Sequence, residues 1–190
     1  MAVPPTDHTP DAMAAKALLR REARAERVAF VATLTRDERA ALEAAVADVL
    51  DTHLPPGATA AYTPVGSEID PRGVARPLLL PRVTGGPLDF VATDGTVGVP
   101  AIILVPLLAV DATGTRLGQG GGHYDRTLAA LRAVGPVMAI GIAWEVQRVT
   151  TLPVEPWDMP LDALATPSGW YDFTRRRRLT FAAQATISPP

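Results

Sequence analysis

The chain has 190 residues, of which 47% are hydrophobic and 20% charged, enough for one domain with a substantial buried core. Its formal net charge of −2 argues against a protein that coats nucleic acid. It contains no cysteine, which excludes a disulfide framework, a thiol nucleophile and a cysteine metal site.

Both ends are predicted to lie outside a single domain that spans residues 14–167. Residues 1–13 indicate a disordered leader without a signal-peptide pattern, and residues 168–190 indicate a tail. The run Arg175–Arg178 in that tail could touch nucleic acid or an acidic lipid surface, but a solvated tail is favoured. The apolar stretch 101–110 is too short to span a bilayer, so we expect a cytoplasmic protein without a membrane partner.

The first predicted helix runs from about Ala14 to Phe30 and carries a basic face. Its members Lys16, Arg20, Arg24 and Arg27 recur at intervals of four, four and three residues. Lys16 is also the only lysine of the chain. Taken alone, this pattern favours a solvated helix face.

A second helix and a strand follow. Thr35 and Glu38 have the spacing of a capping box, which predicts the start of that helix. Residues 58–63 are predicted to form a short buried strand, and the loop 63–70 after it carries Glu68. An exposed turn and a ligand-binding loop are both consistent with that acid.

The second half of the chain alternates apolar strands with a helix. Strands are predicted at 101–108, 137–143 and 163–166, and a helix at 124–133. Uniformly apolar strands are typical of a sheet covered on both faces. The predicted fold class is therefore α/β, a Rossmann-like three-layer sandwich with a mostly parallel central sheet and its ligand site at the strand carboxyl ends.

The segment 105–128 joins a strand to a helix through a glycine-rich turn. The turn contains Gly118, Gly120, Gly121 and Gly122. Such glycines let backbone N–H groups approach a ligand, and the following helix N-terminus favours an anion. Arg116 offers a forked cation for phosphate oxygens, and Asp125 could hold Mg²⁺ against them. No Walker A lysine follows, but the pattern predicts a site for a phosphate with its metal.

This segment resembles the signature of the 5-formyltetrahydrofolate cyclo-ligase family, roughly P-x-x-A/G-F-D-x-x-G-x-R-L-G-x-G-x-G-Y-Y-D. The matching positions are Pro106, Asp111, Gly114, Arg116, Leu117, Gly118, Gly120, Gly122, Tyr124 and Asp125. The chain departs from the signature at Val110 and His123. It is also shortened over 71–104, where it lacks the Trp and Glu-Pro elements of the family.

The resemblance implies a role for each matching side chain. ATP would be bound by Lys16, Arg20, Arg116, Gly118, Gly120, Gly121, Gly122 and Tyr124, of which Lys16, Arg20 and Arg116 would also be catalytic. The reduced folate would be held by Thr63, Glu68, Gln119 and His123. Mg²⁺ would be held by Asp125 and, from the late motif at 151–162, by Asp158. Arg24 and Arg27 remain surface residues.

The implied activity is the ATP- and Mg²⁺-dependent conversion of 5-formyltetrahydrofolate to 5,10-methenyltetrahydrofolate, with release of ADP and phosphate. A monomer is expected rather than an oligomer. One alternative is a non-catalytic nucleotide- or RNA-binding relative, and another is a different small-molecule kinase or ligase. A serine hydrolase is disfavoured because no G-x-S-x-G elbow is present, and a zinc site because the three histidines lack ligand spacing.

Overall fold

The computed structural model describes residues 10–174, with side chains from residue 14 onward. The helices are α1 (Pro10–Ala32), α2 (Arg36–His53) and α3 (His123–Val134), with short 3₁₀ turns at Pro71–Gly73 and Glu145–Gln147. The strands are β1 (Thr59–Ala60), β2 (Leu78–Arg82), β3 (Asp89–Val91), β4 (Val97–Gly98), β5 (Ile102–Pro106), β6 (Ala109–Val110), β7 (Arg116–Leu117), β8 (Met138–Ile142), β9 (Ala163–Thr166) and β10 (Gly169–Asp172).

Eight of the strands form one sheet, in the order β10-β9-β8-β5-β1-β2-β3-β4. The five from β9 to β2 in that order are mutually parallel, and β10, β3 and β4 are added antiparallel at the edges. Strands β6 and β7 pair separately as a small antiparallel ribbon. The mostly parallel sheet agrees with the apolar strand patterns in the sequence.

The central strand β5 shows why the sheet is covered on both faces. Its side chains alternate, so that Ile102 and Leu104 pack in one core with α2, and Ile103 and Val105 pack in a second core with α3. All four are almost completely buried. The predicted three-layer α/β sandwich is therefore confirmed.

The segment predicted to be shortened, 71–104, contains a 3₁₀ turn, the three short strands β2, β3 and β4 and the start of β5, rather than a helix. Strands β2, β3 and β4 form an antiparallel meander that extends the sheet beyond β1. Among the described residues, no helix is long and apolar enough to cross a membrane.

The predicted domain limits differ from the described structure at both ends. Helix α1 begins at Pro10, inside the predicted leader, where a proline suits the first turn of a helix. The predicted tail from residue 168 is wrong for its first residues, because β10 pairs with β9 in a hairpin. Trp170, an aromatic residue suited to a strand, stacks on His53 at 5.1 Å between ring centroids. Residues 1–9 of the leader and 175–190 of the tail, with the four arginines, lie outside the described residues.

The capping box predicted for α2 is present. The Thr35 hydroxyl accepts a hydrogen bond from the Glu38 N–H at 3.2 Å, and the Glu38 carboxylate accepts one from the Thr35 N–H at 2.8 Å. Hydrogen bonds from the Thr35 backbone and hydroxyl lower the pKa of Glu38. Because the pKa is lowered in the folded state, this contribution to stability is present at neutral pH and is lost as the pH falls through that pKa.

Replacing Thr35 by alanine removes the cap acceptor and should lower the free energy of unfolding by about 1 kcal/mol. Urea unfolding followed by circular dichroism measures the change. Thr52→Ala, an exposed threonine later in α2, is the matched control and should shift the free energy by less than about 0.5 kcal/mol. Equal effects of the two substitutions would contradict a capping role.

Candidate functional site

A cavity of about 590 Å³ lies at the carboxyl end of β5, next to Pro106. Its walls come from α1, from a segment that we call the glycine loop (residues 116–122), from the start of α3 and from the late loop (residues 153–162). The predicted site residues that line it are Lys16, Arg20, Arg116, Gly118, Gln119, Gly120, Gly121, Gly122, His123, Tyr124, Asp125 and Asp158. The fold thus brings together side chains that are more than 140 residues apart in the sequence.

The glycine loop owes its path to backbone conformations that other residues rarely adopt. Gly120 has a φ of 103° and Gly122 a φ of 64°, both in the left-handed region. Gly122 is also the N-cap of α3, so no capping side chain covers the first N–H groups of that helix. The Arg20 Nε donates a hydrogen bond to the Gly118 carbonyl at 3.2 Å and fixes the loop against α1. A loop of this kind can present N–H groups and a cation to a phosphate.

Lys16 lies between two carboxylates of the late loop. Its Nζ is 2.5 Å from Glu155 Oε2 and 2.6 Å from Asp158 Oδ2, and its side chain is only 6% exposed. Burial acts to lower the pKa of Lys16, but hydrogen bonds to Asp158 and Glu155 outweigh it and raise the pKa above its ordinary value. Lys16 is therefore a fixed ammonium at the wall of the cavity.

A second ion pair joins Arg116 to Asp125. The Arg116 Nη2 donates to Asp125 Oδ1 at 2.7 Å, and its Nη1 donates to the Met159 carbonyl. Burial lowers the pKa of Arg116, while Asp125 opposes the change, and a guanidinium stays charged under such conditions. The Met159 N–H donates to the same Asp125 oxygen at 3.0 Å, which ties the late loop to α3.

The two carboxylates predicted to hold a metal are too few to enclose it by themselves. They suit Mg²⁺, which takes water and phosphate oxygens as further ligands. Within the described residues, no group of three or more acidic or histidine side chains could enclose a metal. Asp125 and Asp158 both line the cavity, each through a carboxylate that also accepts hydrogen bonds from a cation. Mg²⁺ is commonly bound by one or two carboxylates together with water and substrate phosphates. Two carboxylates that line one cavity with the glycine loop are consistent with that chemistry.

Two predicted folate contacts, Thr63 and Glu68, do not line the cavity. Both lie in the segment 63–70, which we call the β1 loop. Thr63 is exposed, whereas Glu68 is buried behind the glycine loop. The Gln119 Nε2 donates to Glu68 Oε1 at 3.1 Å and so stands between Glu68 and the cavity.

The prediction that Arg27 is a surface residue is wrong. Its side chain is 5% exposed and lies 3.5 Å from Glu68 Oε1. It also donates to the Leu107 carbonyl at 3.2 Å and to the Ser67 hydroxyl at 3.0 Å. The helical spacing of the four basic residues predicts that they share one face of α1. It does not predict which of them is buried against an acid from another segment. Arg24 is exposed as predicted, and its Nη2 donates to the side-chain Oε1 of Gln119.

Comparison with known proteins points to one family of enzymes. Residues 93–167 match the model of the 5-formyltetrahydrofolate cyclo-ligase family. The chain is 48% identical over 67 residues to the 5-formyltetrahydrofolate cyclo-ligase of Escherichia coli K12, which is 35% of this chain and 36% of that enzyme. It is 42% identical over 72 residues to the enzyme of the same name from Mycolicibacterium smegmatis, covering 38% of this chain and 36% of that one.

Solved structures extend the likeness beyond the aligned segment. The 5,10-methenyltetrahydrofolate synthetase of Mycoplasma pneumoniae superposes with a TM-score of 0.66 at 25% identity, over 80% of this chain and 98% of that one. That of Aquifex aeolicus superposes with a TM-score of 0.64 at 27% identity, over 83% and 92%. The chain is thus similar to the 5-formyltetrahydrofolate cyclo-ligases in sequence over 93–167 and in fold over most of its length. Its sequence alignments span about a third of the length of the curated cyclo-ligases.

Two residues of the cavity were not among the predicted site residues. Glu155 pairs with Lys16, and Trp157, whose side chain is 45% exposed, lies at the cavity wall. No local pattern marked Glu155, because its partner Lys16 lies 139 residues away in the sequence. Trp157 lies directly before Asp158 in the sequence, and this adjacency to a predicted site residue could have indicated that it lines the cavity.

Removing Arg27 should destabilise the protein because it leaves the Glu68 carboxylate buried without its cation. We expect Arg27→Ala to lower the free energy of unfolding by about 3 kcal/mol in urea titrations. Arg21→Ala is the matched control, an exposed arginine on the same helix, and should change it by less than about 0.5 kcal/mol. Similar losses in both variants would show that the buried pair does not stabilise the fold.

Proposed function

We propose that the protein converts 5-formyltetrahydrofolate to 5,10-methenyltetrahydrofolate, using ATP and Mg²⁺ and releasing ADP and phosphate. The observation that carries this proposal is the convergence of Lys16, Arg116 and the glycine loop on one cavity with Asp125 and Asp158. Relatedness to the cyclo-ligases supports the choice of substrate.

The proposed reaction has two steps that balance in atoms and charge. The formyl oxygen attacks the γ-phosphorus of ATP, a P–O bond breaks, and ADP leaves. The folate N10 then attacks the activated formyl carbon, the phosphate departs with the former formyl oxygen, and N10 loses its proton. An amide oxygen is a weak nucleophile, so the protein must align it with the phosphorus and stabilise phosphoryl charge.

The cations of the cavity suit that electrostatic task. We assign the phosphates to Lys16, Arg20, Arg116 and the N–H groups of Gly118, Gly120, Gly121 and Gly122. Lys16 and Arg116 are held by carboxylates and are almost fully buried, so their charges are oriented before any ligand arrives. Burial raises the pKa of Tyr124, which keeps its phenol neutral and able to donate a hydrogen bond to the nucleotide.

Magnesium would be held by Asp125 and Asp158. When bound there, it would supply positive charge to the phosphates. Asp125 and Asp158 already pair with Arg116 and Lys16. A bound Mg²⁺ would therefore compete with these two cations for the carboxylates, and the phosphates would compete with the carboxylates for the cations.

The folate would meet the glycine loop on the side of Gln119 and His123, which line the cavity. Glu68 is buried and would act by holding Gln119, while Thr63 offers a hydroxyl at the start of the β1 loop. We further propose that the protein is a cytoplasmic monomer.

Absorbance at the methenyltetrahydrofolate band tests the activity directly. Purified protein mixed with 5-formyltetrahydrofolate, ATP and Mg²⁺ should give a rise in absorbance, and omission of any one of the three should abolish it. A rise without ATP would contradict the proposed chemistry. No rise, with a melting temperature still raised by Mg-ATP, would favour the nucleotide-binding relative that the shortened segment 71–104 makes conceivable.

Replacing Lys16 by alanine should lower kcat at least about 100-fold, because an oriented charge is lost from the phosphate site. The absorbance assay measures turnover, and circular dichroism shows whether the fold is kept. Arg21→Ala, on the exposed part of the same helix, should retain turnover. A folded Lys16→Ala variant with unchanged kcat would overturn the assignment of Lys16 to phosphate.

A further inference from the structure

We propose that the Gln119 side chain couples the glycine loop to the β1 loop, so that a nucleotide at one loop changes the affinity for folate at the other. This inference rests on the function proposed above. In addition to the folate contact proposed above, Gln119 would be a positioning residue, because its hydrogen bond to Glu68 joins the two loops.

The contacts of Gln119 fix its amide from both sides. Its Nε2 donates to Glu68 Oε1 at 3.1 Å, and its Oε1 accepts from Arg24 Nη2 at 2.5 Å. An amide has a donor end and an acceptor end, and the two neighbours satisfy one end each, so the orientation of the group is defined. Within the described residues, this is the hydrogen bond that joins the glycine loop to the β1 loop.

Glu68 is well placed to transmit a movement of Gln119. Its second oxygen accepts from the Val65 N–H at 3.0 Å, and its first lies 3.5 Å from the Arg27 guanidinium. The carboxylate is 7% exposed, so it cannot exchange these partners for water without cost. A shift of Gln119 is therefore passed to the backbone of the β1 loop at Val65.

Gln119 lies in a part of the backbone that can move, because it has a glycine on either side. It lies between Gly118 and Gly120, and Gly120 has the left-handed φ that only glycine adopts readily. Phosphates bound by the loop N–H groups would move the backbone that carries Gln119. The bond to Glu68 would then carry that movement into the β1 loop. Linkage requires that folate change nucleotide affinity by the same factor.

The test compares the native protein with Gln119→Met, which keeps the side-chain length but can neither donate nor accept these hydrogen bonds. Hydrogen exchange is followed by mass spectrometry with and without Mg-ATP. In the native protein, Mg-ATP should slow exchange in the glycine loop and also in the β1 loop. In Gln119→Met, protection of the glycine loop should remain and protection of the β1 loop should be lost. Arg21→Ala should behave like the native protein.

A binding measurement gives the same comparison in solution. Mg-ADP should raise the affinity of native protein for 5-formyltetrahydrofolate by about 5-fold or more, and this ratio should fall to near one in Gln119→Met. A ratio or a β1-loop protection that survives in Gln119→Met would overturn the role of Gln119. If Mg-ATP slowed hydrogen exchange of the native protein only in the glycine loop, the coupling would be overturned but nucleotide binding would stand. No protection of either loop would overturn nucleotide binding and the proposed function with it.

Discussion

The buried guanidinium of Arg27 joins the three segments on which the cavity depends. It belongs to α1, faces Glu68 of the β1 loop and donates to the Leu107 carbonyl just after β5. The same helix carries Lys16 and Arg20 to the cavity, while Leu19 and Ala23 pack against the β6–β7 ribbon. The buried cation thus adds a polar contact to the apolar contacts by which α1 docks on the rest of the domain.

The parallel sheet supplies the second constraint, because it makes the loops after β1, β5 and β8 emerge at one edge. Such an edge is where open α/β folds bind ligands. The ion pairs of Lys16 and Arg116 then link the late loop to α1 and α3. Charges of both signs are therefore held close together in a partly enclosed space, which favours a polyanion that arrives with a cation.

The sequence was most informative where local patterns determine structure. The bounds of β9 and the Thr35 cap of α2 agree with prediction because strand apolarity and capping chemistry are local. The glycine-rich turn was also recognisable as a cavity wall, because closely spaced glycines allow left-handed backbone conformations and leave space beside the chain. Arg27 and Glu155 were beyond such reasoning, because their partners lie 41 and 139 residues away and depend on how α1 docks. Strand β10 was missed because an edge strand with one aromatic pair resembles a loop in sequence.

The outermost strand β4 has a consequence for the behaviour of the protein at high concentration. An exposed sheet edge can pair with the edge of another molecule and begin aggregation. Here that edge is only two residues long and is followed by Pro100, which has no N–H to donate. Val97 and Val99 are 55% and 73% exposed, so the side chains alone would invite self-association. The shortness of the strand limits the backbone ladder that such association needs, and so favours colloidal stability.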